Sequence, residues 1–469
     1  MKNIKKTLAG IIAVTTVMTS AVSCRKNVTG NLSVETDDKP IAMLPESEEP
    51  EGVGEPADIS GTEIVWLSDY DLNPTEKDKR SVALSLFEDV FGGKVKFVYT
   101  PAEERFDKLA SMILAGDEVD MVEYDPCALP DGVKKNQYEP LDPYFNSLEI
   151  NSSIWDDMSD VIDMFEYNDQ HYVIPYSLSN PVVLTYSRKM IEENKLDDPY
   201  ELYEKGKWDW DTFMEMMEKF KTNTGGYGIN GFVGNSLIHS TGFNIVNYKN
   251  GKLINNINTA PIKEAETFMQ KIANKKLYST YRNDSFPSGN DTLFFAAPFW
   301  TIGVSNVRCP DMDFMAIPFP QYDKAKENYI VCDFNAKMLV KNSQKGHAVA
   351  TYIKCERFAV TQEDYKEPAK EFALLPQKNS KGATVSQLTP EQYDILQEYT
   401  DPTEITPVVD FAYGMGDRLY SSAGSDGIID QLEKNMLISG GTYETWKTFR
   451  DSCSAVIKEE IERLNKSEN

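Results

Sequence analysis

The stretch KVKFVYTPAEERFDKLASMILAGDEVDMVEYD, residues 94–125, contains a strand, a helix and a second strand in succession. Val95–Tyr99 alternates like a strand, and Glu103–Leu114 has apolar residues at helical spacing before a stop at Gly116. Val119–Tyr124 then returns to a strand pattern. Strands that alternate with helices of about ten residues predict βαβ units around a parallel sheet.

The residues before this stretch repeat the same order of elements. EIVWL (Glu63–Leu67) is a short apolar run typical of a buried strand, and Val82–Phe91 has helical spacing up to Gly92. Because ligands bind beyond the carboxyl ends of parallel strands, the loops after the first and third strands are candidate binding loops. The end of each strand and the loop after it place aromatic rings beside carboxylates. The candidates are Trp66, Asp69 and Tyr70 at the first strand and Tyr124 and Asp125 at the third.

The first 23 residues have the features of a secretory signal peptide. Lys2, Lys5 and Lys6 precede a mostly apolar run that is too short to span a membrane and ends in small residues. AVSC (Ala21–Cys24) resembles the lipobox of bacterial lipoproteins, in which cleavage leaves a lipidated cysteine at the new N-terminus. The sequence therefore predicts a lipid anchor on Cys24. The alternative is an ordinary signal peptide with a cysteine nearby.

Residues 24–60 form an acidic segment between that cysteine and the folded body. Residues 25–60 carry nine acidic and three basic side chains, four prolines and no aromatic residue. Such a segment cannot bury enough apolar surface to offset the entropy of ordering, so a flexible tether is expected. A tether between an anchor and a folded body implies work near a membrane partner.

Composition bounds the class of protein. The residues are 26% charged and 41% hydrophobic, with 24 Tyr, 22 Phe and 6 Trp, which indicates a globular chain. The length of 469 residues predicts two or three domains or two large lobes. The net charge of −26 repels phosphate backbones, so nucleic acid is not expected as a partner. The three histidines, His171, His239 and His347, are far apart in sequence, and no His-rich metal site is expected.

Five segments occur in an informative order: KLASMILAGDEVDMVEYD (Lys108–Asp125), YNDQHYVIPYSLSNPVVLTYSRKMIEENKLDDP (Tyr167–Pro199), NDTLFFAAPFWTIGVS (Asn290–Ser305), FMAIPFPQ (Phe314–Gln321) and MLVKNSQKGHAVATYIK (Met338–Lys354). In this order they resemble the family 1 extracellular solute-binding proteins, the sugar-binding subunits of ABC importers, of which the maltose-binding-protein-like class is typical. The second segment resembles the part of that family that crosses between lobes. The third is similar to the stretch that carries a pocket tryptophan, and the fourth to the strand that returns to the hinge.

The resemblance implies an α/β protein with a two-lobed, class II periplasmic-binding-protein-like fold. Each lobe is expected to be a mostly parallel sheet flanked by helices, with the ligand cleft at the hinge. Lobe 1 is expected to comprise residues 61–176 plus 290–320, and lobe 2 residues 177–289 plus 321–469. Prolines near the expected crossings fit extended connectors, although they are explained equally well if they only end strands; they are Pro175, Pro181, Pro318 and Pro320.

Aromatic side chains that the resemblance places in the cleft are further candidates for ligand binding, because the C–H faces of sugars stack on such rings. They are Tyr176, Phe299 and Trp300, with Asn335 as a hydrogen-bonding group from lobe 2. Trp300 is the best single candidate because its segment match is clearest. For each ring, the alternative is packing in the hydrophobic core.

Catalytic motifs do not stand out. GYGING (Gly226–Gly231) matches G-x-G-x-x-G, but a helix precedes it and strand-like residues surround it, which favours a turn and a strand edge over a nucleotide site. No nucleophile elbow, P-loop or H-E-x-x-H motif occurs.

We therefore expect a monomeric, lipid-anchored protein on the outer face of a bacterial membrane, with no catalytic residue, cofactor or metal. Its expected partners are a carbohydrate ligand, namely an oligosaccharide or related polyol, and the membrane permease of an ABC importer. The main alternative is a secreted lipoprotein enzyme that acts on carbohydrate, such as a glycoside hydrolase with paired carboxylates. A peptide- or metal-binding lipoprotein of similar shape is a third interpretation.

Overall fold

The computed structural model describes residues 57–73, 80–279, 286, 291–379, 382–420, 427–437 and 443–466. The predicted signal peptide (residues 1–23), the lipidation site Cys24 and nearly all of the predicted tether lie outside these residues. Within the described ranges, no helix has both the length and the apolar character needed to cross a membrane.

The strands are short, and half of those in the described ranges belong to two four-stranded sheets. In chain order they are β1 (Glu63–Ser68), β2 (Lys94–Tyr99), β3 (Met121–Glu123), β4 (Ser177–Ser179), β5 (Val182–Ser187), β6 (Tyr227–Gly231), β7 (Val246–Lys249), β8 (Lys252–Asn255), β9 (Thr292–Pro298), β10 (Phe314–Ile317), β11 (Tyr329–Ile330), β12 (Asp333–Asn335), β13 (Lys337–Leu339), β14 (Gln377–Lys378), β15 (Thr384–Ser386) and β16 (Thr406–Pro407).

Helices flank both sheets. In chain order the α-helices are α1 (Val82–Ser85), α2 (Arg105–Ala115), α3 (Asp131–Lys134), α4 (Phe145–Leu148), α5 (Ser159–Asp163), α6 (Arg188–Glu193), α7 (Pro199–Glu204), α8 (Trp210–Thr224), α9 (Gly234–His239), α10 (Ala260–Asn274), α11 (Trp300–Arg308), α12 (Gly346–Thr361), α13 (Glu363–Leu374), α14 (Pro390–Glu398), α15 (Ile428–Leu437) and α16 (Tyr443–Asn465). A π-helical turn (Leu86–Val90) continues α1, and 3₁₀ turns occur at Ala102–Glu104, Pro126–Ala128, Asp142–Tyr144, Ser153–Met158, Pro310–Met312 and Phe411–Gly414.

The first sheet has the strand order β13-β3-β1-β2 and confirms the βαβ prediction for residues 94–125. β1 pairs in parallel with both β2 and β3, and β13 adds to β3 in the antiparallel direction. Helix α2 ends where predicted, because Gly116 adopts the left-handed conformation (φ 73°) that closes a helix C-terminus. We call this sheet and its helices the first lobe.

The second sheet has the order β10-β5-β9-β6 and, with its helices, forms the second lobe. Only β6 and β9 are parallel, whereas β5 is antiparallel to both of its neighbours. The expected mostly parallel sheet is therefore correct for the first lobe and wrong for the second, which is mixed. Strand β6 lies at the sheet edge, so the GYGING motif is a strand edge as predicted.

The expected lobe boundaries need correction. Strands β9 and β10 fall in residues 290–320, which we assigned to lobe 1, yet both pair with β5 in the second sheet. β9 is almost wholly apolar, with Leu293, Phe294 and Ala296 fully buried, as is typical of a central strand, and its hydrogen-bonding partners are β5 and β6 of the second sheet. Conversely β13 and α12, which we assigned to lobe 2, belong to the first lobe: β13 pairs with β3, and α12 packs against α1. The chain returns to the first lobe at β12–β13, not near residue 290.

The hinge contains a two-stranded ladder in which β4 pairs with β12. The Tyr176 amide donates to the Asn335 carbonyl (2.9 Å) and extends this ladder toward the first lobe. Pro175 and Pro181 flank β4, as expected of extended connectors. Pro318, in contrast, follows β10 directly, and its carbonyl accepts a hydrogen bond from the Trp208 indole (2.9 Å), so here proline ends a strand.

The C-terminal helix α16 makes ion pairs with both lobes. Near its start, Arg450 Nη1 lies 2.5 Å from Glu266 Oε2 on α10, which packs against α9 and α15 in the second lobe. Near its end, Arg463 Nη1 lies 2.9 Å from Asp131 Oδ1 at the start of α3. The C-terminal helix, which was expected in lobe 2, thus joins the two lobes outside the hinge.

Candidate ligand-binding cleft

A cleft of about 910 Å³ lies between the two lobes beside the hinge. Its lining comes from the first lobe (including Tyr70 and Lys337), from hinge residues Tyr176 to Asn180, and from the second lobe (including Trp300). This volume is near the upper end of the 300–1,000 Å³ typical of small-molecule sites. The cleft can therefore hold a ligand larger than one small ring.

The first-lobe side of the cleft centres on Lys337, the first residue of β13. Its side chain is only 3% exposed, and its ammonium group donates to the hydroxyl oxygens of Tyr70 (3.4 Å) and Tyr176 (3.3 Å). It also lies 4.0 Å from Glu356 Oε1 on α12 and 4.9 Å from the centre of the Trp66 ring. A buried ammonium needs such partners, because an isolated charge away from water is costly.

Two carboxylates reach the cleft beside this lysine. Glu123 on β3 lies directly opposite Lys337 in the strand ladder, accepts a hydrogen bond from the Tyr70 hydroxyl (3.3 Å) and lies 3.8 Å from Arg105. Glu356 projects from α12; its burial raises the pKa of its carboxyl, and the nearby Lys337 charge partly opposes that rise. Both groups can accept hydrogen bonds from ligand hydroxyls.

The two tyrosines remain hydrogen-bond donors at any physiological pH. Burial raises the pKa of Tyr70 well above its usual value, with Glu123 adding to the effect, and burial does the same to the pKa of Tyr176. The backbone of Tyr176 is fixed in turn by Arg357, whose Nη1 donates to its carbonyl (2.9 Å) and whose Nη2 pairs with Asp157. The first-lobe side, which we call the floor, is thus a connected polar network.

The second-lobe side, which we call the wall, is aromatic and uncharged near the hinge. Phe299 is buried and its amide donates to the Pro181 carbonyl (2.9 Å), so the start of α11 is tied to the hinge. Trp300, the first residue of α11, is partly exposed in the cleft. Gly303 on the same helix lets the Ser386–Leu388 segment approach, since a Cβ there would lie 2.2 Å from Ser386 Oγ.

Helix α14 completes the wall. Thr389 and Gln392 form a capping box at its start, and the Gln392 side chain also donates to the Phe314 carbonyl of β10 (2.7 Å). This anchoring places Tyr393 and Gln397 in the cleft lining. The wall can offer ring faces, amides and hydroxyls to a ligand.

Of the residues singled out from sequence, Tyr70, Tyr176, Phe299, Trp300 and Asn335 come together in this cleft. Asn335 does not project from lobe 2 as expected, because it lies on β12 in the hinge. Its side-chain Nδ2 donates to Ser177 Oγ (2.9 Å), and its side-chain Oδ1 accepts from Ser179 Oγ (3.0 Å). Their contact with a ligand stays a prediction.

The other four candidates do not line this cleft. Trp66 is fully buried with its indole bonded to the Tyr70 carbonyl (3.0 Å), which fits the alternative of core packing. Tyr124 packs edge-on against Phe165 with ring centres 5.3 Å apart. The side chain of Asp125 accepts from the Cys127 amide (2.9 Å) and pairs with Arg105 (2.9 Å). Asp69 accepts from the neighbouring Ser68 hydroxyl (3.3 Å).

Sequence reasoning missed the charged groups of the floor. Lys337, Glu123 and Glu356 each interrupt an apolar run: NAKMLV for the lysine, DMVEY for the first carboxylate and CERFAV for the second. A charge inside a buried element is a signal that could have identified them, because such residues are rarely buried without a partner. Pairing them required the fold, since they come from β13, β3 and α12.

Comparison with known families identifies one match. Residues 84–381 match the family model described as bacterial extracellular solute-binding protein. A search of curated protein sequences finds no significant match. The family model covers well over half of the chain and includes the first sheet apart from β1, the hinge and the second sheet.

Several solved structures are similar in fold. The sugar-binding protein MalE from Xanthomonas citri aligns with a TM-score of 0.61 and 13% identity over 87% of this chain and 100% of that chain. A galacto-N-biose-/lacto-N-biose I-binding protein from Bifidobacterium longum, in complex with lacto-N-biose, has a TM-score of 0.57 and 12% identity over 85% and 97%. An ABC substrate-binding protein from Listeria monocytogenes, in complex with cycloalternan, has a TM-score of 0.54 and 15% identity over 85% and 99%. At such identities the similarity establishes the two-lobed fold and nothing finer.

Proposed function

Because the chain belongs to the bacterial extracellular solute-binding proteins, we propose that it captures a carbohydrate in the cleft for import by an ABC transporter. The observation that carries this proposal is the pairing of an aromatic wall at Trp300 with a polar floor at Tyr70, Tyr176 and Lys337. A sugar ring has an apolar C–H face for the first and hydroxyl groups for the second.

We propose an oligosaccharide in particular. The cleft volume of about 910 Å³ exceeds what one sugar ring needs, and the lining continues from the hinge to α14. The similar structures from Bifidobacterium longum and Listeria monocytogenes hold lacto-N-biose and cycloalternan, which supports this size class.

Binding without turnover fits the floor better than hydrolysis does. A glycoside hydrolase places two carboxyl groups on either side of the scissile bond. Here Glu123 and Glu356 both belong to the first lobe and share Lys337 as a neighbour, so both would approach a ligand from the same side. The expected product of incubation with any bound sugar is the unchanged sugar.

The proposal includes a monomer held at the outer face of the membrane by lipid on Cys24. The lipobox-like AVSC sequence and the acidic segment behind it support an anchor and a tether. Cys24→Ser should release the protein from cells and leave its ligand affinity unchanged. Tight membrane attachment of that variant would exclude the anchor.

A thermal-shift screen over mono- and oligosaccharides tests the ligand class. A ligand at a hundred times its Kd stabilises the folded state by about 2.7 kcal/mol, which raises the melting temperature measurably. At least one oligosaccharide should produce a saturable shift, and chromatography of the mixture should recover it intact. A panel without any shift, or recovery of hydrolysed sugar, would contradict the proposal.

A further inference from the structure

Each cation that lines the described cleft has a carboxylate neighbour within the protein. Three cations line the described cleft: Lys337 lies beside Glu356, Arg357 pairs with Asp157, and Lys366 pairs with Glu363. Lys337 and Arg357 are buried beside their partners, so neither is left for a carboxylate, phosphate or sulfate on a ligand, and Lys366 is a half-exposed surface residue on α13. An anionic ligand would instead meet Glu123 and Glu356, which reach the same floor.

The Lys337 ammonium lies deeper in the protein than the carboxylates of Glu356 and Glu123. Its side chain is 3% exposed, whereas that of Glu356 is 19% and that of Glu123 is 28% exposed, so a ligand can reach the carboxylates more readily than the ammonium. Among the described residues, the other groups in contact with Lys337 are neutral: the hydroxyls of Tyr70 and Tyr176 and the ring of Trp66. Without the lysine, Glu356 would lose the ammonium beside it, and Glu123 would keep Arg105 at 3.8 Å, which is shared with Asp125.

We infer that Lys337 is a counter-ion built into the cleft floor, and that it determines the charge class of the ligand as uncharged sugar. With Lys337 in place, a ligand anion loses its hydration and also meets the more exposed Glu123 and Glu356, whereas a ligand cation regains from these carboxylates about what it loses in hydration. The inference rests on the proposed function and goes beyond it, since a sugar-binding protein could equally have selected acidic or amino sugars.

The test uses three derivatives of whichever oligosaccharide with a reducing end gives the largest thermal shift. In its alditol, aldonate and 1-amino-1-deoxyalditol the terminal sugar ring is open. The three differ mainly in the charge of the group at C1, which is neutral, negative and positive, respectively. A unit charge about 10 Å away at an effective dielectric constant of about 20 changes affinity roughly tenfold. Wild-type protein should therefore bind the alditol at least about tenfold more tightly than the aldonate, and the amine within about threefold of the alditol.

Two substitutions should move this selectivity in opposite directions. Lys337→Met should make the amine the preferred derivative by about tenfold and widen the penalty on the aldonate. Glu356→Gln should narrow the aldonate penalty by about threefold or more. Lys337→Arg, which keeps the charge, should retain wild-type selectivity; this rescue separates a charge effect from a packing effect. Calorimetric titration of each variant with the three derivatives measures all of these ratios.

A second buried ion pair in the same lobe provides matched controls. Lys354, 2% exposed on α12, lies 2.7 Å from Glu149 and neither residue lines the cleft. Lys354→Met and Glu149→Gln change the net charge of the protein as much as the test variants do, and should leave the ratios among derivatives unchanged. If Lys337→Met and Glu356→Gln shift the ratios no more than these controls, Lys337 is not the counter-ion. If wild-type protein prefers the aldonate, the assigned charge class is wrong. If no sugar in the initial screen binds the wild-type protein, the result would instead count against the proposed function.

Discussion

The two sides of the cleft are built on different principles. On the floor, polar side chains are held by hydrogen bonds: Lys337 donates to two tyrosines, Tyr70 donates to Glu123, and Arg357 donates to the hinge backbone. On the wall, Trp300 and the Ser386–Leu388 segment present ring, hydroxyl and amide groups held mainly through backbone contacts. The floor is a fixed polar template, and the wall is a surface for stacking.

This difference indicates how each side contributes to binding. A preorganised network loses little entropy when it receives a ligand and discriminates by charge and by hydrogen-bond direction. A ring face contributes contact area and tolerates different sugars, because many sugars have an apolar face. Variants on the floor should therefore alter stability and selectivity, whereas variants on the wall should alter affinity.

The two tryptophans give the largest contrast. Trp66 is fully buried beneath the floor, so Trp66→Ala should lower the free energy of unfolding by about 3–5 kcal/mol without ligand, because it leaves a large cavity and removes the ring beside Lys337. Chemical denaturation of the unliganded protein measures this loss. A loss below about 1 kcal/mol would show that the ring is not a packing element, and would restore Trp66 as a ligand-binding candidate.

The contrast also shows what the sequence could predict. Local patterns were enough for β1, α2 and the GYGING strand edge, because apolar spacing and a glycine stop are local properties. The membership of β9 could not be read locally, since a buried apolar strand fits either sheet until its neighbours are known.

The same limit applied to the site. Trp66 and Trp300 both lie in largely apolar stretches of sequence, and only the fold separates a core ring from a cleft ring. Lys337 was overlooked because its meaning depends on Tyr70 and Tyr176, which are 267 and 161 positions away.

On the wall, Trp300→Ala should weaken sugar binding by 2 kcal/mol or more, which is roughly 30-fold, because the apolar face and the ring contact are lost together. The unliganded protein should lose comparatively little stability, since Trp300 is partly exposed. Calorimetric titration with a sugar from the panel, together with melting of both proteins, measures the two effects. Trp300→Phe, which keeps a ring face, should retain most of the affinity. A badly destabilised Trp300→Ala protein, or one with wild-type affinity, would remove this residue from the site.

A smaller effect is expected at Asp125, whose carboxylate is occupied within the first lobe. Asp125→Ala should lower stability by about 1–2 kcal/mol, because the Cys127 amide loses its cap and Arg105 loses its closest carboxylate. Asp125→Asn, which keeps the capping oxygen, should recover part of this loss. Sugar affinity should change less than twofold in both variants. A drop in affinity comparable to that of Trp300→Ala would mean that the carboxylate reaches the ligand after all.

The smallest expected effect is a change in the stability of the protein with pH, caused by Glu356 on the floor. Burial raises the pKa of Glu356 above its ordinary value of 4.5, so the folded state holds this proton more tightly than the unfolded state does. The contribution of Glu356 to the stability of the wild-type protein must therefore fall as the pH rises from about 4.5 through the folded-state pKa.

Glu356→Gln has no proton to lose, so its stability relative to wild type should rise across that window, by at most about 1.4 kcal/mol per pH unit, and level off above it. Denaturation of both proteins at unit steps from pH 4 to pH 8 measures the difference. Glu264, which is partly exposed and whose pKa is lowered chiefly by its hydrogen bond from Lys324, supplies the control of opposite sign. Glu264→Gln should lose stability relative to wild type as pH rises through the region in which that carboxyl ionises. Parallel curves for wild type and Glu356→Gln would mean that this carboxyl ionises as in the unfolded chain, and that the floor is less shielded from water than its network of tyrosines and lysine implies.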